Sequence, residues 1–471
     1  MWGLKSLWPD QDNKFLTDDK ELGSLEKIRR FMNTNKKRNL FEKLSFKPIK
    51  SAVFLFAVTW GCSGLAVGET QETWPAWRGP EANGSTNAGK YPTKLNENSQ
   101  EWSLSLPGTG GSTPVTWGDH IFLTTPVNNQ DAVMAVGFDG KEKWLTKLGT
   151  AKPQKHRTLG SSCNSSPTTD GNSIYAYFKS SNFASLDLSG NIRWKKNLAK
   201  DFGPEELYWD QGSSPVLTEK HVIIARIHGG DSWVAAFNKH DGELAWKTKR
   251  NYPCPPENNN GYTTPILYEE NGKQSLLVFG SDRLTSYDSS TGKLNWWSGG
   301  FNPRKRGYWP AISSPVIVDD LAILPVGRDD RPRQANVFGV KLGGQGEVTS
   351  SHRAWARKDV GVFVPALAEA NGKVYLLRNK GGVVCMDPKS GKTIWEDNLP
   401  EGRSPYYASP TIANNVLYAA RNDGQVFVAA LEEKGLKLLD SIDFGDSFVA
   451  TPVPVKNRIL LRSYNNLYCY K

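Results

Sequence analysis

Cysteine and histidine are scarce in this chain of 471 residues, with five of the first and six of the second. No two cysteines are adjacent, and neither CxxC nor CxxCH occurs, which excludes a thioredoxin-type centre and covalently attached haem c. The histidines are isolated and show no metal-ligand spacing. A phosphate-binding loop, a dinucleotide fingerprint and a Ser/His/Asp order are all missing. Long apolar runs are missing too, except for one uncharged stretch of about 18 residues from Ser51 to Gly68.

That stretch follows Lys36, Lys37, Arg38, Lys43, Lys47 and Lys50 and ends in small residues. A basic region, an apolar core and a small-residue end have the form of a secretory signal, and the length also suits a membrane tether through residues 51–68. Residues 1–68 are therefore expected to be an N-terminal extension plus signal peptide or anchor, and residues 69–471 the folded domain, exported to the periplasm or cell envelope. Trp60-Gly61 before Cys62 departs from the small-residue pattern of a lipoprotein signal. The net charge of +10 divides evenly: 12 Lys/Arg against 7 Asp/Glu in residues 1–68, and 46 against 41 in the rest. Mildly basic, interspersed charge is a solvated surface and gives no nucleic-acid footprint.

What the chain does contain is a repeat. Pro114, Pro167, Pro215, Pro265, Pro315, Pro365, Pro410 and Pro452 each open a short apolar strand, at gaps of 53, 48, 50, 50, 50, 45 and 42 residues. Between Thr263 and Trp297 four strands can be read (265–268, 275–279, 284–287 and 294–297), separated by turns rich in Gly, Asn, Asp and Ser. A glycine lies four residues before a tryptophan at Gly140–Trp144, Gly190–Trp194, Gly242–Trp246, Gly292–Trp296 and Gly391–Trp395. Blade five is irregular, its Trp355 following a longer glycine-rich segment. The chain stops after three strands of the eighth unit, while an unmatched strand, EWSLSL, precedes the first. Joining these ends makes an all-β, eight-bladed β-propeller of four-stranded antiparallel blades, closed by the N-terminal outer strand. Closure of this kind removes open sheet edges, and the expected state is a monomer.

In this topology the blade-to-blade linkers and the loops between second and third strands share one face, where a site is expected over the channel. The linkers carry His156 and Arg157; Trp209 and Asp210; Asn259 and Tyr262; Arg403 and Tyr406. Arg304 and Arg306 beside Tyr308 and Trp309 form the best anionic-ligand candidate, since arginine binds carboxylates bidentately and tryptophan stacks on planar rings. Asp329-Asp330 is expected to be a solvated turn. Cys385 and Cys469 occupy equivalent third-strand positions and are expected to be buried and unpaired; Cys163 and Cys254 lie in linkers that could pair only if folded together.

The segments WPAWRGPEANGST (74–86), YDSSTGKLNW (287–296) and MDPKSGKTIW (386–395) resemble the PQQ-like β-propeller repeat family, which includes quinoprotein alcohol dehydrogenases and BamB-like exported propellers. The resemblance covers nearly all of residues 74–471. It implies that the Gly-x-x-x-Trp element docks tryptophan between blades, and it is nearly silent on function. Two expectations follow. One is a non-catalytic scaffold that binds an envelope protein or an extended ligand at the loop face. The other is a quinoprotein-like oxidoreductase of alcohols or aldehydes, holding PQQ with Ca²⁺; Arg304, Arg306, Tyr308 and Trp309 would then hold the quinone, and no catalytic base can be assigned. The absence of a Cys-Cys pair and of recognisable calcium ligands departs from that second pattern.

Overall fold

The computed structural model describes residues 72–156, 160–307 and 309–471. The segment 1–68, with the signal peptide or anchor expected there, lies outside the described residues, as do Arg157 and Tyr308. Eight sheets make eight blades, as the repeat predicts. In blade four the strands run Ile266–Glu270, Lys273–Gly280, Arg283–Asp288 and Leu294–Gly299, within a few residues of those expected from turn chemistry alone. The eighth blade combines Gln100–Ser105 with Val453–Val455, Arg458–Arg462 and Asn466–Tyr470. Trp102 pairs with Cys469 and Leu104 with Leu467, so the two ends of the domain share one ladder.

Each core cluster lies between successive sheets, because the strands present apolar side chains on both faces. Cys385, for example, packs with Tyr375 and Trp395. Cys385 and Cys469 are fully buried and free, and Cys163 and Cys254 are also free.

The docking motif works across blades. Trp144 of blade one lies on Gly190 of blade two, where a Cβ would stand 2.5 Å from the indole. Gly190 also has φ of 86°, so glycine is required there twice over. The indole N–H of Trp144 donates to the Leu188 carbonyl at 2.9 Å. Trp194 does the same to Lys239 O at 2.9 Å, Trp246 to Ser289 O at 3.2 Å and Trp355 to Pro388 O at 2.8 Å. Trp102 of the closing strand donates to Phe138 O at 2.8 Å and lies on Gly140, so the same joint seals blade eight to blade one.

The small residue before each proline has its own reason. The backbone N–H of Thr113 donates to the Ser166 hydroxyl, Ser166 to Ser214, Ser214 to Thr264, Thr264 to Ser314, and Thr451 back to Thr113, all at 2.9–3.0 Å and buried. A belt of hydroxyls thus ties blade to blade around the channel. Val364 stands before Pro365, and there the link is made two residues later, from Ala366 N–H to Ser409.

Blade five is irregular because its last connection leaves the blade. Gly346–Glu347 pairs in parallel with Trp296 and Trp297, covering the outer edge of blade four, before Arg353–Arg357 returns as the outer strand of blade five.

Candidate functional site

Residues 74–86 form a strap inside the channel. Trp74 bridges Thr116 of blade one, and Thr169 N–H of blade two donates to Pro75 O at 2.9 Å. At the other end Glu369 N–H of blade six donates to Asn83 O at 3.0 Å, and Ser85–Thr86 adds a parallel strand to Thr411–Ala413 of blade seven. Between these anchors Arg78 is buried. Its guanidinium donates to Pro410 O and Leu367 O, each at 2.6 Å, and burial without a counter-anion lowers its pKa to about 9. Residues 74–86 are therefore a bar spanning the innermost strands of four blades.

Trp77, on this bar, lines two cavities and so separates them. One, of about 400 Å³, opens among the turns between first and second strands, at Asp170 and Thr218. The other, of about 380 Å³, is a cup on the loop face. Its aromatic lining is Trp77, His156, Trp209, Tyr262, Phe363 and Tyr407, and its charged lining among the described residues is Asp210, Glu257, Arg328 and Asp330.

Hydrogen bonds between linkers build this cup. Asp210 accepts from the backbone N–H of Lys155 and His156 and pairs with Lys179, both side chains almost wholly buried. The Tyr262 hydroxyl accepts from Trp209 N–H at 3.0 Å, and burial raises the phenol's pKa. Asn260 holds Tyr208 N–H and Asn258 holds Trp309 N–H, so the Asn258–Asn260 run fastens its two neighbouring linkers. His156 packs on Trp209 at 5.0 Å. Arg328 forks onto Asp330 at 3.0 and 2.8 Å and lies over Phe363 at 4.2 Å. Glu257 has φ of 66°, unusual for a side chain of its size. Burial raises its carboxyl pKa, against a hydrogen bond from the Trp209 side chain.

Of the candidates read from sequence, His156, Trp209, Asp210 and Tyr262 converge on the cup. Asn259 instead accepts from Asn260 at 2.9 Å. Arg403 is exposed on its linker, and Tyr406 is buried against Phe427; its neighbour Tyr407 faces the cup. Arg304 is exposed, Arg306 stands 5.8 Å from the Trp309 ring, and Trp309 is 5% exposed within the core between blades four and five. None of these three lines the cup. Trp77, Glu257, Arg328 and Phe363 were not singled out. Trp77 lies outside the repeat, and the backbone of Glu257 leaves no mark in its residue type.

The family model described as outer membrane protein assembly factor BamB matches residues 90–230, 208–307 and 344–439. The chain belongs to this PQQ-like propeller family. BamB of Moranella endobia (strain PCIT) is 21% identical over 361 residues, 75% of this chain and 82% of that protein. BamB of Yersinia pestis is 20% identical over 384 residues, 79% and 86% of the two chains. The crystal structure of BamB from Moraxella catarrhalis superposes with a TM-score of 0.55 at 14% identity, covering 79% of this chain and 97% of that one. A europium-containing methanol dehydrogenase superposes with 0.64 at 11% identity, covering 84% and 90%. At such identities the structural matches establish the fold.

A quinone bearing several carboxylates fits the cup poorly. The guanidinium of Arg328 is already committed to Asp330, and Glu257 adds negative charge beside it. Among the described residues no three His, Cys, Asp or Glu side chains converge to hold a metal ion.

Proposed function

We propose that this chain is an exported, non-catalytic propeller of the cell envelope that binds a protein partner through its loop face. The observation that carries the reading is the cup closed at its floor by Trp77, with the exposed Tyr208–Trp209 pair in T-shaped contact at its rim. Exposed large aromatics beside a concave site are the usual anchors of protein recognition. The relatives named as outer membrane protein assembly factors favour an envelope partner, and the signal-like stretch 51–68 favours export. The test is affinity purification of the tagged full chain from envelope membranes. A stoichiometric partner should be retained by the native chain and by Lys220→Ala, on the opposite face, but lost from the Tyr208→Ala/Trp209→Ala double variant. Equal retention by both variants would remove the loop face from the account.

A further inference from the structure

The cup has a sign as well as a shape. Among the described residues three carboxylates, Asp210, Glu257 and Asp330, face it against one guanidinium, Arg328. Two of the three are neutralised in place, Asp210 by Lys179 behind it and Asp330 by Arg328. Among the described residues Glu257 has no cationic partner within ion-pair distance, Arg328 acting on it only from farther off. Its left-handed backbone conformation is held by Asn260, whose backbone and side-chain N–H groups both donate to Glu257 O. Strain of that kind at a cavity wall persists only where the surroundings impose it, and such outliers cluster at ligand sites. The rest of the wall combines six aromatic residues with small, apolar and polar ones such as Gly160, Ile312 and Asn164, and aromatic ring faces attract cations.

We propose that the cup receives an arginine side chain from an extended segment of the partner, its guanidinium on Glu257 and its stem against Trp77 and Tyr262. The inference rests on the loop-face reading above. Arg328 shows the same mode within the chain itself: stacked over a ring, with its fork on a carboxylate. A neutral ring such as a sugar would leave the Glu257 charge unmatched, and an anion would be repelled by it.

The experiment titrates the full-length protein with N-acetyl-arginine amide, followed by calorimetry and by tryptophan fluorescence. N-acetyl-citrulline amide, a neutral near-isostere, and cellobiose serve as comparisons. Saturable one-to-one binding of the arginine probe is expected, weakened at least about fivefold by Glu257→Gln and by Trp77→Leu. Citrulline and cellobiose should bind at least fivefold more weakly than arginine. Because Trp77 is also structural, Glu257→Gln, which keeps shape and removes charge, is the deciding variant. Its melting temperature should match the native protein's. Equal binding of arginine and citrulline, preference for cellobiose, absence of arginine binding, or indifference to Glu257→Gln would each overturn the proposal. A partner still captured through Tyr208 and Trp209 in those cases would leave the loop-face reading standing. Loss of that capture while arginine binds would leave the cup a small-ligand site.

Discussion

At the scale of single residues, buried polar groups separate structural from recognition roles. Ser214, at the start of blade three, accepts one backbone N–H from blade two and offers its own to blade four. Ser214→Ala strands a buried donor, and should lower the unfolding free energy by about 1–3 kcal/mol in urea titration. Glu205 is buried, its Oε2 lacks a partner, and burial raises its pKa from 4.5 to about 7 against the pull of Lys152 and Arg226. Since the folded value lies above the unfolded one, the contribution is full below about pH 4.5 and is lost as pH rises through about 7. Glu205→Gln should therefore stabilise the protein at pH 8 relative to pH 4, by at most about 3 kcal/mol. Thermal unfolding of both proteins across that range checks the sign. A gain at pH 4 that fades by pH 8 would contradict it.

At the scale of elements, the strap 74–86 is what the repeat could not announce. The proline and Gly-x-x-x-Trp spacings predicted strands to within a few residues, because alternation and turn chemistry are local. WPAWRGP has no counterpart in other blades, so its place in the channel depends on contacts up to 332 residues away, such as Arg78 with Pro410. The cup was half legible for the same reason. His156, Trp209, Asp210 and Tyr262 stand in linkers whose position follows from topology, whereas Trp77 reaches the cup from the strap. Trp309, placed by the same linker logic, turned into the core because the loop fastened by Asn258 directs it inward. Gly84, with φ of 75°, lies against Arg78, where a Cβ would meet the guanidinium. Gly84→Ala and Arg78→Ala should each release the strap. Limited proteolysis should cut both variants between 80 and 90 before the blades unfold, while the native protein resists.

At the scale of the whole domain, closure and recognition depend on different faces. The ring is sealed by Gln100–Ser105 on Asn466–Tyr470 and by Trp102 on Gly140. Deleting residues 466–471 exposes two sheet edges, and aggregation during size-exclusion chromatography is the expected result. The loop face carries the cup, and Lys220 marks the other side, at the turn between the first two strands of blade three. The most direct measurement places a photo-crosslinking residue at Tyr208 or at Lys220 in the full chain and irradiates intact cells. A discrete protein adduct from position 208, reduced by Glu257→Gln and absent from position 220, is the result this account predicts. Adducts of equal yield from both positions, or from 220 alone, would contradict it.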